Sequence, residues 1–194
     1  MNDIKGRPES PLITRLILMS LSNILENKAS ANMRGDIMAI DIKVRLATLD
    51  DLFSWMELIR LVSWNFPGLE TEELIASYKE TVIKNINRNT AICATNHEEV
   101  VGLLLFSVNH SMLSCMAVHP NYRRYGIATK MIDLMLTQLP KNRDIVVTTF
   151  REEDEKGIAP RELYKKIGFT EGELCYEFNH PQQRFILHRN KRNA

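Results

Sequence analysis

Residues 113–139 read LSCMAVHPNYRRYGIATKMIDLMLTQL, and the division of this stretch decides the fold. Its first six residues are apolar or small, the composition of a buried strand. His119-Pro120-Asn121 then forms a turn signal, because proline has no backbone donor with which to extend a ladder. After Gly126, apolar residues recur at Ile127, Ala128, Met131, Ile132, Leu134, Met135, Leu136 and Leu139, a broad helical stripe that Pro140 ends. Strand, tight loop and helix therefore meet at Arg123-Arg124-Tyr125-Gly126-Ile127-Ala128.

The chemistry of that joint suits an anion. The first amides of a helix lack intrahelical acceptors, and the aligned peptide dipoles favour negative charge there. Gly126, without a Cβ, allows close approach to the backbone. Arg123 and Arg124 add charge-assisted, fork-shaped donors. An equally direct reading makes Gly126 a turn residue and the two arginines a solvated edge.

The pattern R-x-x-G-x-A at Arg123, Gly126 and Ala128, after a strand ending Val118-His119-Pro120, resembles the acetyl-coenzyme A motif of the GNAT superfamily of N-acetyltransferases. A second stretch, Glu162-Leu163-Tyr164-Lys165-Lys166-Ile167-Gly168-Phe169, resembles the L-Y-x-K-x-G-F signature near the end of that fold. The resemblance covers roughly residues 42–188. It implies that backbone amides from Arg124 through Tyr125, Gly126, Ile127 and Ala128 to Thr129 hold the pyrophosphate, with Arg123 beside them. It implies further that main-chain groups of Met116, Ala117 and Val118 pair with the pantetheine arm, and that Tyr164 lies near the sulfur. Two departures stand out: Gly157 occupies a position where many members carry Asn, and Pro160 one where they carry Ala. The side-chain contact from that Asn to the pantetheine is therefore absent.

A chain of 194 residues with 44% hydrophobic and 25% charged residues has the composition of a soluble globular protein with a substantial core. The formal net charge of +1 gives no reason to expect a polyanion, and nucleic-acid binding is disfavoured. Cys93, Cys115 and Cys175 sit in apolar runs without framework spacing, which points to free thiols in a reducing, cytoplasmic compartment. The histidines lack metal-ligand spacing. Residues 1–36 carry an apolar centre that reads as a helix followed by a linker, too interrupted for a membrane span or a secretory signal. The catalytic-type domain is expected over residues 37–194, with residues 1–36 as an appended extension that either packs as a helix or stays disordered.

Along that domain, residues 41–47 read as a strand, and Thr48 as the N-cap of a helix with Asp50 and Asp51 in its first turn. Ser63-Trp64-Asn65-Phe66-Pro67-Gly68 breaks the helical pattern before a second helix near residues 71–86. In the resembled family this region covers the acceptor site, so Trp64 and Phe66 are candidate substrate-facing residues; the competing reading places both in the core. Residues 91–95 and 100–108 form a hairpin about residues 96–99, and with the strand before Val118 they make a three-stranded antiparallel meander. Residues 145–150 form a strand that must lie parallel to the central one, because a helix crosses between them. Two parallel strands beside a glycine turn can splay and admit an extended ligand arm. A charged loop at residues 151–156, a short helix with Pro160 at its first position and Gly168 at its end, and two last strands joined by a turn at His180-Pro181 complete the reading.

Attack of an amine on a thioester needs a neutral amine, a stabilised oxyanion and an acid for the departing thiolate. Tyr164 suits the last role, since a phenol with a pKa of ~10 stays protonated and can donate to a thiolate whose thiol titrates near ~8.5. An amide of Met116, Ala117 or Val118 would serve the oxyanion. No carboxylate lies in the central strand; Glu57, Glu152 and Glu153 are the candidate bases. Cys115 reads as a small buried apolar residue and His119 as a loop residue. The expected whole is an α/β GNAT-like fold, with a mixed, mostly antiparallel sheet, a splayed parallel pair and flanking helices. The expected activity is transfer of acetyl from acetyl-coenzyme A, without a metal, to a small amine. Alternatives are a non-catalytic acyl-coenzyme A-binding regulatory module and an acetyltransferase acting on a protein lysine or N-terminus.

Overall fold

The computed structural model describes residues 40–189. The extension and linker read at residues 1–36 lie outside them. The strands are β1 (Ile42–Leu46), β2 (Ala91–Asn96), β3 (Glu99–Ser107), β4 (Met112–Val118), β5 (Ile145–Phe150), β6 (Thr170–Glu177) and β7 (His180–Leu187). They form a seven-stranded sheet in the order β1-β2-β3-β4-β5-β7-β6, antiparallel everywhere except between β4 and β5. The helices are α1 (Leu52–Val62), α2 (Glu72–Asn87), α3 (Ile127–Gln138) and α4 (Glu155–Ile167). This is the mixed α/β architecture that the sequence implies.

Strand alternation explains why the sheet is covered on both sides. On β2 and β3, Ile92, Ala94, Leu104 and Phe106 pack with Met131, Ile132 and Met135 of α3. Their neighbours Ala91, Cys93, Leu103 and Leu105 pack with Trp55, Ile59 and Val82 of α1 and α2. Both faces of these central strands are dry, so their sequences run almost continuously apolar, as strands buried on both faces do.

A half-buried ion pair fixes the entry to α1. Arg45 on β1 donates through both terminal nitrogens to Asp51, each at 2.7 Å, and Thr48 N–H donates to the same carboxylate at 2.7 Å. The sequence reading of Thr48 as a helix start holds, although the first turn, Leu49–Asp51, is 3₁₀ rather than α. Burial pushes the Asp51 carboxyl up, while Arg45 and the Thr48 amide together pull it further down, so it titrates below the ordinary aspartate range. A depressed folded pKa contributes stability above the unfolded value of ~3.9, and that contribution is lost as pH falls through the folded value. Asp51→Asn should therefore cost about 2 kcal/mol at neutral pH, less than the loss of a fully buried pair because Arg45 is half exposed. In urea titrations the gap from the wild type should narrow as pH falls below about 4. A gap that does not change with pH would remove the ion pair from the explanation.

The fold corrects two local expectations. Pro160 is not the first residue of the last helix but lies inside α4, which starts a turn and a half earlier where the Asp154 side chain accepts from Lys156 N–H at 2.9 Å. An aspartate N-cap outweighs the proline as a start signal. Gly168 does end the helix, left-handed and donating to the Lys165 and Tyr164 carbonyls. The β6–β7 turn falls at Phe178 and Asn179, both left-handed (φ 51° and 60°), and not at His180-Pro181. Two left-handed central residues match the twist of a hairpin. Pro181 lies one residue beyond the last β5–β7 rung, Phe150 opposite Gln182, so its missing donor breaks no bond to β5.

The departure at Gly157 has a packing reason. A Cβ built there would sit 2.7 Å from the Arg151 carbonyl oxygen and 3.0 Å from that of Phe150. The absence of a side chain lets α4 lie directly on the end of β5. Gly157→Ala should destabilise the fold by about 2 kcal/mol through overpacking against backbone, read as a lowered midpoint in thermal or urea unfolding. An unchanged midpoint would show that α4 shifts freely and that its seat is not fixed.

Candidate functional site

β4 and β5 part company after two residues. Their pairing consists of Met112 with Val146 and Leu113 with Val147. Opposite β3 the register jumps from Phe106–Leu113 to Leu105–Cys115, which leaves Ser114 as an extra, bulged residue in β4. A bulge bends and twists its strand, and here it sits at the point where β4 leaves its parallel neighbour. The space opened is a cavity of about 560 Å³, lined by residues 112–118 of β4, residues 147–150 of β5, Arg123, and Tyr164 on α4. Main-chain groups along a strand point alternately to either side. His119 N–H donates to Val101 of β3 at 2.9 Å, so the polar groups of Val118 and Met116 turn the other way, into the cleft. Those of Ala117 turn toward β3.

The loop leading into α3 is built around left-handed residues. Arg124 has φ 70° and Gly126 has φ 73°, and the first helical hydrogen bond of α3 runs from Lys130 N–H to Gly126 O at 3.0 Å. The amides of Ile127, Ala128 and Thr129 therefore have no acceptor within the helix. A Cβ built on Gly126 would meet no atom within 4 Å; the protein leaves the space above this backbone clear. Arg123, Arg124 and Tyr125 are exposed, and neither arginine makes an ion pair among the described residues. A long anionic ligand fits this arrangement, with its charge at the loop and its arm along β4. The side chain of Ile127 itself is in the core.

Tyr164 sits against Phe169 and Phe185, with ring centres 5.6 and 6.0 Å away, and is 4% exposed. It lines the cavity, and its hydroxyl takes no hydrogen bond from any described residue. Burial raises its pKa above that of an ordinary phenol, and the facing Cys115 adds to the effect, so the hydroxyl remains protonated. Cys115 is pushed up to about 11 by burial, against a smaller opposite pull from its contact with Tyr78 at 3.6 Å. A thiol so hard to ionise is a poor nucleophile, in keeping with its reading as an apolar residue.

At the other end of the cavity, the loop after α1 brings Trp64, Asn65 and Phe66, and the β6–β7 hairpin brings Glu177 and Phe178. The core reading of the aromatics fails for Trp64, which is 65% exposed, whereas Phe66 is half-buried. None of Glu57, Glu152 and Glu153 lines the cavity. Glu57 is instead paired with Arg60, one turn along α1. The carboxylates that do line it are Glu155 and Glu177, and Glu177 is held by the Thr148 hydroxyl at 3.1 Å. Only the register of β6 against β7 and β5 brings Glu177 here, and no local signal in the sequence marks it. His119 is a structural residue: its Nδ1 accepts from Asn121 N–H at 3.1 Å and its ring packs edge-on against Tyr122. Among the described residues no group of three or more His, Cys, Asp or Glu side chains is placed to hold a metal ion, and no helix is long and apolar enough to cross a membrane.

Comparison with known proteins agrees with this geometry. Residues 87–171, which span the central strands, the glycine loop and Tyr164, match the family model of the acetyltransferase (GNAT) domain. A GNAT-family acetyltransferase from Bacillus cereus superposes with a TM-score of 0.61 at 19% identity, covering 78% of this chain and 99% of that one. The PaiA N-acetyltransferase of Thermoplasma acidophilum, solved with coenzyme A, gives 0.57 at 19% identity over 74% of this chain and 98% of its own. The microcin C7 self-immunity acetyltransferase MccE, solved with acetyl-CoA and AMP, gives 0.56 at 12% identity over 76% of this chain and 92% of its own. No curated protein matches the chain by sequence. The chain is thus similar to the GNAT acetyltransferase domain over residues 87–171, and it shares the fold of these solved acetyltransferases.

Proposed function

We propose that the protein is an N-acetyltransferase that moves the acetyl group of acetyl-coenzyme A directly to an amine of a small acceptor. The observation that carries this reading is the parting of β4 from β5 after Leu113, beside a glycine loop whose backbone is left clear. The coenzyme A and acetyl-CoA complexes of the two relatives support the choice of ligand. The amides at Ile127, Ala128 and Thr129, with Arg123 and Arg124, would hold the pyrophosphate. The cleft-facing main chain of Met116 and Val118 would pair with the pantetheine arm, and an amide in this run would stabilise the oxyanion. Ala117, whose main chain turns toward β3, contributes position rather than a bond.

The acceptor nitrogen forms a bond to the acetyl carbon as the carbon–sulfur bond breaks. The Tyr164 hydroxyl donates its proton to the departing sulfur and is reprotonated from water, and the amine releases one proton to solvent. Burial makes Tyr164 a weaker acid than a free phenol, but it acts in the same direction on its partner. Cys115, which faces Tyr164, is raised to about 11, so a thiolate expelled into the same surroundings is a stronger base than one in water. A small acceptor is favoured because the two outer walls meet: a Cβ built on Gly68 would lie 3.1 Å from the Phe178 ring.

The test is release of coenzyme A thiol from acetyl-coenzyme A over a panel of small amines and peptides, with the product identified by mass. Amide formation on a small amine is the expected result. Thiol release without an acetylated product, or acetylation confined to peptides, would overturn the reading.

A further inference from the structure

The outer end of the cavity is built differently from the end at the glycine loop. Its walls are aromatic: Trp64, on the loop after α1, is 65% exposed and Phe178, on the β6–β7 hairpin, 69% exposed. Its polar groups are acceptors. The half-buried Glu177 carboxylate makes no ion pair among the described residues and accepts a hydrogen bond from the Thr148 hydroxyl. Asn65 Oδ1 is buried and has no hydrogen-bond partner. The cations nearby are engaged elsewhere: Lys156 Nζ donates to Trp64 O at 3.4 Å and lies over the Phe150 ring, and Arg151 lies over Tyr176 and donates to the Gln182 and Cys175 carbonyls. Arg184 is paired with Glu173.

A buried acceptor without a donor is unfavourable, and a half-buried carboxylate at a cavity wall without a counter-charge attracts a cation. Exposed ring faces attract cations and apolar groups. We propose that this end of the cavity binds the acceptor as a primary ammonium that carries an aromatic or apolar group and no adjacent carboxylate, its N–H donors taken by Glu177 and Asn65 between Trp64 and Phe178. The inference rests on the acetyl-transfer reading and gives it a substrate class. An amino acid with a free carboxylate is disfavoured, since its negative charge would lie beside Glu177.

The probe is 2-phenylethylamine, titrated into the full chain with and without coenzyme A and followed by tryptophan fluorescence. Trp55 is fully buried, so the response belongs to Trp64 and should vanish in Trp64→Phe. A saturable change is expected, with the dissociation constant raised about ten-fold or more in Glu177→Gln, which removes a charge-assisted bond, and about five-fold in Asn65→Ala, which removes a neutral one. Phenylalanine, the same skeleton with a carboxylate, should bind at least about ten-fold more weakly. Circular dichroism confirms that each variant is folded; should Glu177→Gln fail to fold, Asn65→Ala and the phenylalanine comparison decide. No saturable response, equal binding of phenylalanine, or a folded Glu177→Gln with unchanged affinity would each overturn the subsite. Failure to bind coenzyme A would overturn acetyl transfer alone, because the amine titration without coenzyme still reports on Glu177.

Discussion

Tyr164→Phe should lower kcat for acetyl transfer by about 10²-fold, the scale for loss of a positioned acid. The dissociation constant for acetyl-coenzyme A should stay within about two-fold, because the charged contacts lie at the loop before α3 and not at Tyr164. The substitution isolates one atom. The ring keeps its contacts with Phe169 and Phe185, and the hydroxyl has no protein partner among the described residues whose loss would disturb the fold. Removing a phenol that bonds to nothing costs little stability, so folding and chemistry separate cleanly. Stopped assays of kcat, alongside calorimetric titration of the coenzyme, give both numbers. An unchanged kcat with chemistry rate-limiting would take Tyr164 out of the mechanism.

Gly126→Val acts at the other end of the cavity and should weaken coenzyme A binding by about 10²-fold, near 2.8 kcal/mol. Two effects add. Valine at φ 73° is strained, because a left-handed backbone brings Cβ against the following carbonyl. Its side chain also enters the space left clear in front of the helix amides, where the Cβ meets no protein atom. Nothing in the protein is displaced, so the second penalty falls on the ligand. Arg124→Ala leaves the backbone cradle in place and should cost about ten-fold or less, the share of a single exposed charged contact. Calorimetry on both folded variants decides; equal losses would mean that the arginine side chains, and not the backbone, hold the anion.

The parts of the molecule that were legible in the sequence are those set by local chemistry. The strand, glycine loop and helix of residues 113–139 follow from a proline that cannot extend a ladder, a glycine suited to φ 73° and a stripe of helical period. The parallel placement of β5 follows from the crossover of α3. What stayed hidden depends on register between distant segments. Glu177 reaches the cavity because β6 is aligned beyond β7, with Glu177 opposite His180, and its side chain meets Thr148 of β5 at 3.1 Å. Along its own strand it looks like any alternating polar residue. The Ser114 bulge shows only in the pairing with β3, and the fit of Gly157 against two carbonyls only once α4 lies on β5. Pro160 misled for a different reason: a proline often opens a helix, but Asp154 had already capped this one.

In the proposed complex an acyl-coenzyme A lies between β4 and β5 with its phosphates on the loop before α3. Hydrogen–deuterium exchange with and without coenzyme A tests it by location as well as by affinity. Slowed exchange is expected at the cleft-facing amides of Met116 and Val118 and through residues 124–129, with no change at the Ala117 amide, which is turned toward β3, or along the outer edge of β6. Protection confined to other segments, or none at saturating coenzyme A, would contradict it.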